Sequence, residues 1–296
     1  MVVAHRGASS AVPEHTLAAY TAALAVGADG LECDVRLTRD GHLVCVHDRT
    51  VNRTSDGRGV VSEFDLAALD ALDFSSWHRT ELGSADELLP DGPYLAGVEP
   101  DRVEGGGVLT LERLLELVAD SERPVRLLIE TKHPTRYGGL VEAKLVELLD
   151  RFGWAGTLGE DPSLRRDADL TNPVIVMSFA ATAIRRVRLL APDVPTVLLL
   201  ERGLPLQRER LLPTGVPIAG PGLHLLRSDP GFVERAHLRG YRVFVWTVDQ
   251  PDDVEFVRDL GVDTIITNRP AEVAAQIDST ERRVPATAVR RGRRPS

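Results

Sequence analysis

The feature that most constrains this 296-residue chain is the recurrence of short, apolar, β-branched runs separated by helix-length amphipathic segments. The runs are VVAH at 2–5, LECDV at 31–35, LVCVH at 43–47, VRLLIET at 125–131, VIVMSF at 174–179, TVLLL at 196–200, PIAG at 217–220, VFVWTV at 243–248 and DTIIT at 263–267. Between most of them stand stretches such as HTLAAYTAALAVG, TLERLLELVADS, LVEAKLVELLDRFG, AATAIRRVRLLAP and QPDDVEFVRDLG. Strand and helix alternating this often predicts parallel strands joined by helical crossovers, and near-continuous apolar strands need both sheet faces covered. The length and the number of units fit an α/β fold of the TIM (β/α)8 barrel type.

Nine runs are one too many for eight strands, and LVCVH is the odd one. Only RLTRDGH separates it from LECDV, too little for a parallel crossover, whereas Asp40-Gly41 suits a hairpin turn. LVCVH is therefore expected to run antiparallel to LECDV at the active-site end of the barrel. With Asp40 and Gly41 as the two loop residues, Asp34 would face His47. Glu32, Asp34, Cys45 and His47 would then share one face and Cys33 the other, which argues against a Cys33–Cys45 disulfide. Residues 51–108 break the rhythm with a Gly-, Pro- and acid-rich stretch, read as an insertion or lid within a single domain spanning 1–281.

Composition narrows the partners. Residues 1–281 hold 29 basic and 44 acidic side chains, a net −15, while the last fifteen residues carry six Arg and no acid. So acidic a body disfavours nucleic acid, and an anionic substrate must be met by a few placed cations or a metal. The Arg-rich tail, 282–296, reads as disordered. No run approaches the roughly 20 apolar residues of a membrane span, and MVVA meets His5 and Arg6 too early for an export signal. The expected address is the cytoplasm, without integral membrane association, and the two cysteines suit a reducing compartment.

The strand ends carry the chemistry. AHRGAS closes the first run, and VPEHTLAAY opens a helix. Gly7 permits a sharp exit, and His5 and Arg6 stand where a barrel strand delivers side chains to its C-terminal face. Glu32 and Asp34 alternate on the next strand, where two carboxylates on one apolar face repel and demand a cation. Hard oxygen donors at i and i+2 suit Mg²⁺ or Ca²⁺ better than zinc. In LLIETK the logic repeats: Glu130 can join a metal and Lys132 can face a substrate anion.

AHRG with PEHT, LECDVRLTRDGHLVCVHDRTVNRTSDGRG, IETK, MSF, VWTVD and GVDTIITNRP together resemble the glycerophosphodiester phosphodiesterase family, in order and approximate spacing, over roughly residues 2–272. The resemblance implies a barrel of the phosphatidylinositol-phospholipase-C-like type. It implies one divalent cation, Mg²⁺ or Ca²⁺, and a small-molecule glycerophosphodiester cleaved to glycerol 3-phosphate and an alcohol, by way of a cyclic phosphate formed by the glycerol 2-hydroxyl. It also implies His5 and His47 as the acid–base pair, Glu32, Asp34 and Glu130 as metal ligands, Arg6 and Lys132 as phosphate contacts, and Trp246 and Phe179 against the glycerol. The chemistry agrees: a phosphodiester anion needs neutralising during attack, and two proton transfers near neutral pH suit imidazoles.

The chain departs from that pattern at three places. His15 stands where the family has Asn, an expected change in helix capping or else an added basic group near the site. Asp249 stands where Asn is usual, a small change beside Trp246. The stretch between His47 and IETK is longer than the family's. Two other readings use the same residues: a phospholipase D type of diesterase acting on lysophospholipid or sphingolipid, and a non-catalytic barrel that binds polyol phosphates. Head-group preference, the choice of cation, the order of the two histidines and oligomeric state are not written in the sequence.

Overall fold

The computed structural model describes residues 1–77, 106–156, 171–201, 212–213 and 215–281. Its strands are β1 (Val2–His5), β2 (Gly30–Leu37), β3 (Leu43–Cys45), β4 (Arg126–Thr131), β5 (Val174–Ser178), β6 (Thr196–Leu200), β7 (Ile218–Pro221), β8 (Arg242–Val245) and β9 (Thr264–Thr267). Its helices are α1 (Leu17–Ala25), α2 (Leu66–Asp70), α3 (Leu111–Ala119), α4 (Leu140–Arg151), α5 (Ala181–Leu190), α6 (Leu223–Ser228), α7 (Phe232–His237), α8 (Pro251–Asp259) and α9 (Pro270–Glu281). The strands pair in the order β1-β9-β8-β7-β6-β5-β4-β2, and β1 pairs with β2 to close the ring. All eight ladders are parallel, and β3 adds an antiparallel strand to β2. The expected (β/α)8 barrel is what forms.

Local chemistry sets the elements. Thr16 and Thr110 cap α1 and α3, their side chains accepting from the Ala19 and Arg113 amides at 3.2 Å, and Pro251 opens α8 followed by two acids. Leu111, Leu114, Leu115 and Val118 repeat at helical spacing on α3 and are all buried, each contributing roughly 1.5–3 kcal/mol by leaving water. Helix α9, from PAEVAAQIDSTE, is an element the reading of alternating runs did not single out.

Strand alternation divides the apolar residues in two. Val3, Leu128, Ile175, Met177, Val197, Leu199, Ile218, Phe244 and Ile266 fill the barrel interior, while their neighbours in sequence pack against the helical ring. Gly30 is closely packed: a Cβ there would stand 3.0 Å from the Arg126 carbonyl oxygen, so the neighbouring strand would have to give way slightly.

The hairpin departs from the expected register. Val35 faces Cys45, Arg36 faces Val44 and Leu37 faces Leu43, and the Thr38 amide donates to the His42 carbonyl at 2.9 Å. Arg39, Asp40 and Gly41 therefore form a three-residue loop. Gly41 at φ +91° is the cause, since a left-handed residue after the turn adds one position. The slip sets Asp34 opposite Val46, whose amide donates to its carbonyl at 3.0 Å. Cys45 consequently shares the face of Cys33, not that of Glu32 and Asp34; both thiols are free and lie in the same buried layer. His47 reaches the site because the chain has left β3 by then, its carbonyl held by Arg36 Nη2 and Nε at 2.7 and 3.1 Å.

The segment expected as an insertion is described at its two ends. Val51, Val61, Leu69, Phe74 and Val108 form a small core with Val44 and Val46 of the hairpin. Residues 78–105, and the tail at 282–296, lie outside the described residues. Among the described residues, no helix is long and apolar enough to cross a membrane.

Candidate active site

The end of β1 turns on two left-handed residues, Arg6 at φ +58° and Gly7 at φ +87°. A Cβ on Gly7 would stand 2.6 Å from that of Ala19, so a glycine is needed for α1 to pack this close. The turn brings the Arg6 amide to Glu32 Oε2 at 3.0 Å and its guanidinium to Asp34 Oδ2 at 3.0 Å and Glu14 Oε1 at 3.2 Å.

Glu32 and Asp34 stand two residues apart on β2, and Asp34 is the register partner of Glu130 on β4. All three are buried, with one carboxylate oxygen from each within 4.8 Å of the others. Burial and Asp34 push the Glu32 carboxyl well above its usual range, and the same two causes raise Glu130 to about 7. Burial works against Asp34 as well, but Lys132, His15 and Arg6 overcome it and hold that carboxyl well below its usual range. Lys132 Nζ lies 2.8 Å from both Asp34 Oδ1 and Glu130 Oε1. Three converging hard oxygen donors that repel one another in a buried site could hold a divalent cation.

His15 lies in the site and does not cap the helix. It is left-handed at φ +59°, a conformation histidine tolerates better than most residues, and Thr16, not His15, caps α1. Its Nε2 reaches Asp34 Oδ2 at 3.0 Å and its Nδ1 meets the Tyr20 hydroxyl at 2.8 Å, while that hydroxyl donates to the Glu32 carbonyl at 3.1 Å. A buried imidazole is thereby added to the carboxylate cluster.

The two histidines of the expected acid–base pair are both held through Nδ1. His5 Nδ1 meets Asn268 Oδ1 at 2.7 Å, and its Nε2 is 3.9 Å from Glu32 Oε2. Burial and the Arg6 charge push this imidazole down to about 4. His47 Nδ1 meets Asp48 Oδ1 at 2.7 Å; burial lowers its pKa too, opposed by Asp34. The Asp48 carboxyl, drawn down to about 2 by Arg53 against its partial burial and helped by His47, belongs to a clamp the sequence reading missed. Arg53 donates to Asp48 Oδ2 at 2.9 Å and to both oxygens of Glu14 at 2.9 and 2.7 Å. The clamp ties the segment before α1 to the chain leaving β3. Its only trace in the sequence is Asp48 and Arg53 within HDRTVNRTSDGRG.

Phe179 and Trp246 follow β5 and β8 at the same end of the barrel. Their rings stand edge to face, 5.4 Å apart at 88°, with Phe179 44% exposed and Trp246 Nε1 donating to the Gly220 carbonyl at 2.7 Å. Asp249 does more than replace one small polar residue by another. Its Oδ1 accepts from Thr267 Oγ1 at 2.9 Å and the Asn268 amide at 2.8 Å, and its Oδ2 accepts from Asn268 Nδ2 at 2.6 Å.

Comparison with known proteins agrees with this geometry. The sequence profile of the Glycerophosphoryl diester phosphodiesterase family matches residues 5–272. "Probable glycerophosphodiester phosphodiesterase 1" of Mycobacterium tuberculosis is 46% identical over 277 residues, covering 94% of this chain and 92% of that protein. A glycerophosphodiester phosphodiesterase of Caldanaerobacter subterraneus subsp. tengcongensis is 32% identical, covering 91% and 94%. Among solved structures, an Oleispira antarctica phosphodiesterase in complex with the product sn-glycerol-3-phosphate superposes with a TM-score of 0.72 at 24% identity, over 94% of this chain and 96% of that one. An Agrobacterium tumefaciens glycerophosphodiester phosphodiesterase gives 0.68 at 24% identity, over 93% and 98%. These two likenesses speak to the barrel, and the profile and the closer sequences speak to descent: the chain belongs to the glycerophosphoryl diester phosphodiesterase family.

Proposed function

We propose that this protein hydrolyses glycerophosphodiesters to sn-glycerol 3-phosphate and an alcohol, by histidine acid–base catalysis and with one divalent cation, Mg²⁺ or Ca²⁺, held by Glu32, Asp34 and Glu130. The observation that carries the reading is the convergence of these three buried carboxylates with Arg6 and Lys132 from β1, β2 and β4 at one end of the barrel, next to imidazoles that present Nε2. When bound, the cation polarises a phosphoryl oxygen and offsets charge on the phosphorus.

The chain's own residues do the rest. Arg6 and Lys132 supply positive charge where a phosphodiester anion binds. His5 and His47, each anchored through Nδ1, keep Nε2 free to take a proton from the attacking hydroxyl and to deliver one to the leaving alkoxide. The Phe179–Trp246 edge offers an apolar wall for the carbons of the glycerol. The Oleispira antarctica neighbour with its bound sn-glycerol-3-phosphate supports a small-molecule substrate of this class.

The test is glycerol 3-phosphate release from glycerophosphocholine, measured after chelation and again with Mg²⁺ or Ca²⁺ added back. Release restored by one ion is the expected result. A folded sample that releases none with either ion would overturn the reading in favour of bulkier diesters or of binding without turnover.

A further inference from the structure

The side chain of Asn268 faces two groups with opposite demands. An amide can present its oxygen or its NH2 in either direction, because the two ends have nearly the same shape. Asp249 removes that freedom. Its carboxylate accepts from both the backbone and the side-chain nitrogen of Asn268, at 2.8 and 2.6 Å, and is itself fixed by the Thr267 hydroxyl. With the NH2 committed to Asp249, the amide oxygen must point the other way, toward His5 Nδ1 at 2.7 Å and the Ser9 hydroxyl at 2.9 Å. An acceptor facing Nδ1 requires the proton to sit on Nδ1, which leaves Nε2 with its lone pair turned toward the carboxylate cluster.

We propose that Asp249 is a positioning residue: acting through Asn268, it fixes which ring nitrogen of His5 carries the proton. Its carboxylate bonds to Thr267 and Asn268 and reaches His5 only through the latter. Were Asn268 to turn over, its NH2 would face Nδ1, the proton would move to Nε2, and the ring would present a donor to the site instead of an acceptor. The logic is that of a carboxylate that holds an imidazole in one tautomer, here exerted across an intervening amide. The inference rests on reading His5 as a proton-transfer group, but the state of its ring can be measured without turnover.

The experiment compares the full-length protein with Asp249→Asn and with the exchange Asp249→Asn plus Asn268→Asp. An amide at 249 can itself turn over and so no longer dictates the orientation of Asn268. The exchange places an acceptor-only carboxylate directly on His5 Nδ1. Ring-nitrogen NMR shifts, with His5 identified by the signals lost in His5→Gln, are expected to show an Nδ1–H imidazole in the parent chain, a mixture of tautomers in Asp249→Asn, and Nδ1–H again in the exchange. With glycerophosphocholine and the activating cation, kcat should fall about tenfold in the single variant with KM within about twofold, and return to within about threefold of the parent in the exchange. An unchanged His5 spectrum in Asp249→Asn would overturn the proposal. So would a loss of kcat that follows a loss of melting temperature and is not recovered by the exchange, which would make Asp249 a brace for the rim. If the parent itself turns over no diester, the functional reading fails while the tautomer measurement still decides the role of Asp249.

Discussion

The interior of the barrel changes character along its own axis. Val3 on β1 and Leu128 on β4 belong to a closed apolar layer, yet two residues further along the same strands stand His5 and Glu130, and two beyond Glu130 stands Lys132. It also changes around its circumference. On β5 and β6 the same step leads from Ile175 to Met177 and from Val197 to Leu199, so that side stays apolar while β1, β2 and β4 carry ionisable groups. One alternation thus serves two tasks. Low in the barrel it removes hydrocarbon from water; at the mouth of three strands it collects carboxylates that repel one another, a cost that Arg6, Lys132 and His15 offset from within the cluster.

Three substitutions would break or sharpen this contrast. The largest effect is expected at the mouth: His47→Ala should lower turnover of glycerophosphocholine by about a thousandfold while leaving the melting temperature within about 2 °C. Parallel loss of both would mean that the mouth is structural. The converse is expected below. Leu128→Ala leaves a cavity in the closed layer and should cost about 3 kcal/mol of unfolding free energy, lowering the melting temperature by roughly 6–10 °C with kcat at 25 °C little changed.

The third concerns charge that is paired at the mouth. The Glu14 carboxyl is held at about 2 by Arg53 and Arg6 against the effect of burial. Because its folded pKa lies below its ordinary value near 4.5, the stabilisation is complete above about pH 4.5 and lost as pH falls through about 2. Glu14→Gln should therefore be less stable than the parent at pH 6 by at most about 2 kcal/mol, and the two should converge in acid denaturation curves toward pH 2. A constant difference across that range would show that the Glu14–Arg53 clamp works through packing instead.

The barrel was legible because hydrophobic periodicity reports on burial, and burial is what the fold repeats. The odd strand β3 followed from the short connection at residues 36–42, and the triad from acids placed in apolar strands, where few roles are open to them. What escaped the sequence depends on single backbone conformations or on contacts distant in sequence. The hairpin register turned on the left-handed Gly41, which adds one loop residue and exchanges the faces of Cys45 and its neighbours. His15 reads as a capping residue until its own left-handed conformation aims the ring at Asp34. Asn268 drew no notice in TNRP, because the carboxylate that orients it is 19 residues earlier and the imidazole it holds is 263 residues away.

That last separation bears on how the protein is made. β1 is paired on one side with β2 and on the other with β9, and the backbone bonds that close this seam include the Ile265 amide on the Met1 carbonyl. A ribosome releases β1 long before β9. Through most of translation, the strand that bears His5 has one of its two neighbours still unsynthesised, and its ring lacks the amide that orients it. Contacts between the two extremes of a chain form slowly and reward folding late. The oriented His5 ring therefore comes into being with the closing of the barrel, and a nascent chain released before residue 268 carries the three converging carboxylates without the amide that fixes the imidazole beside them.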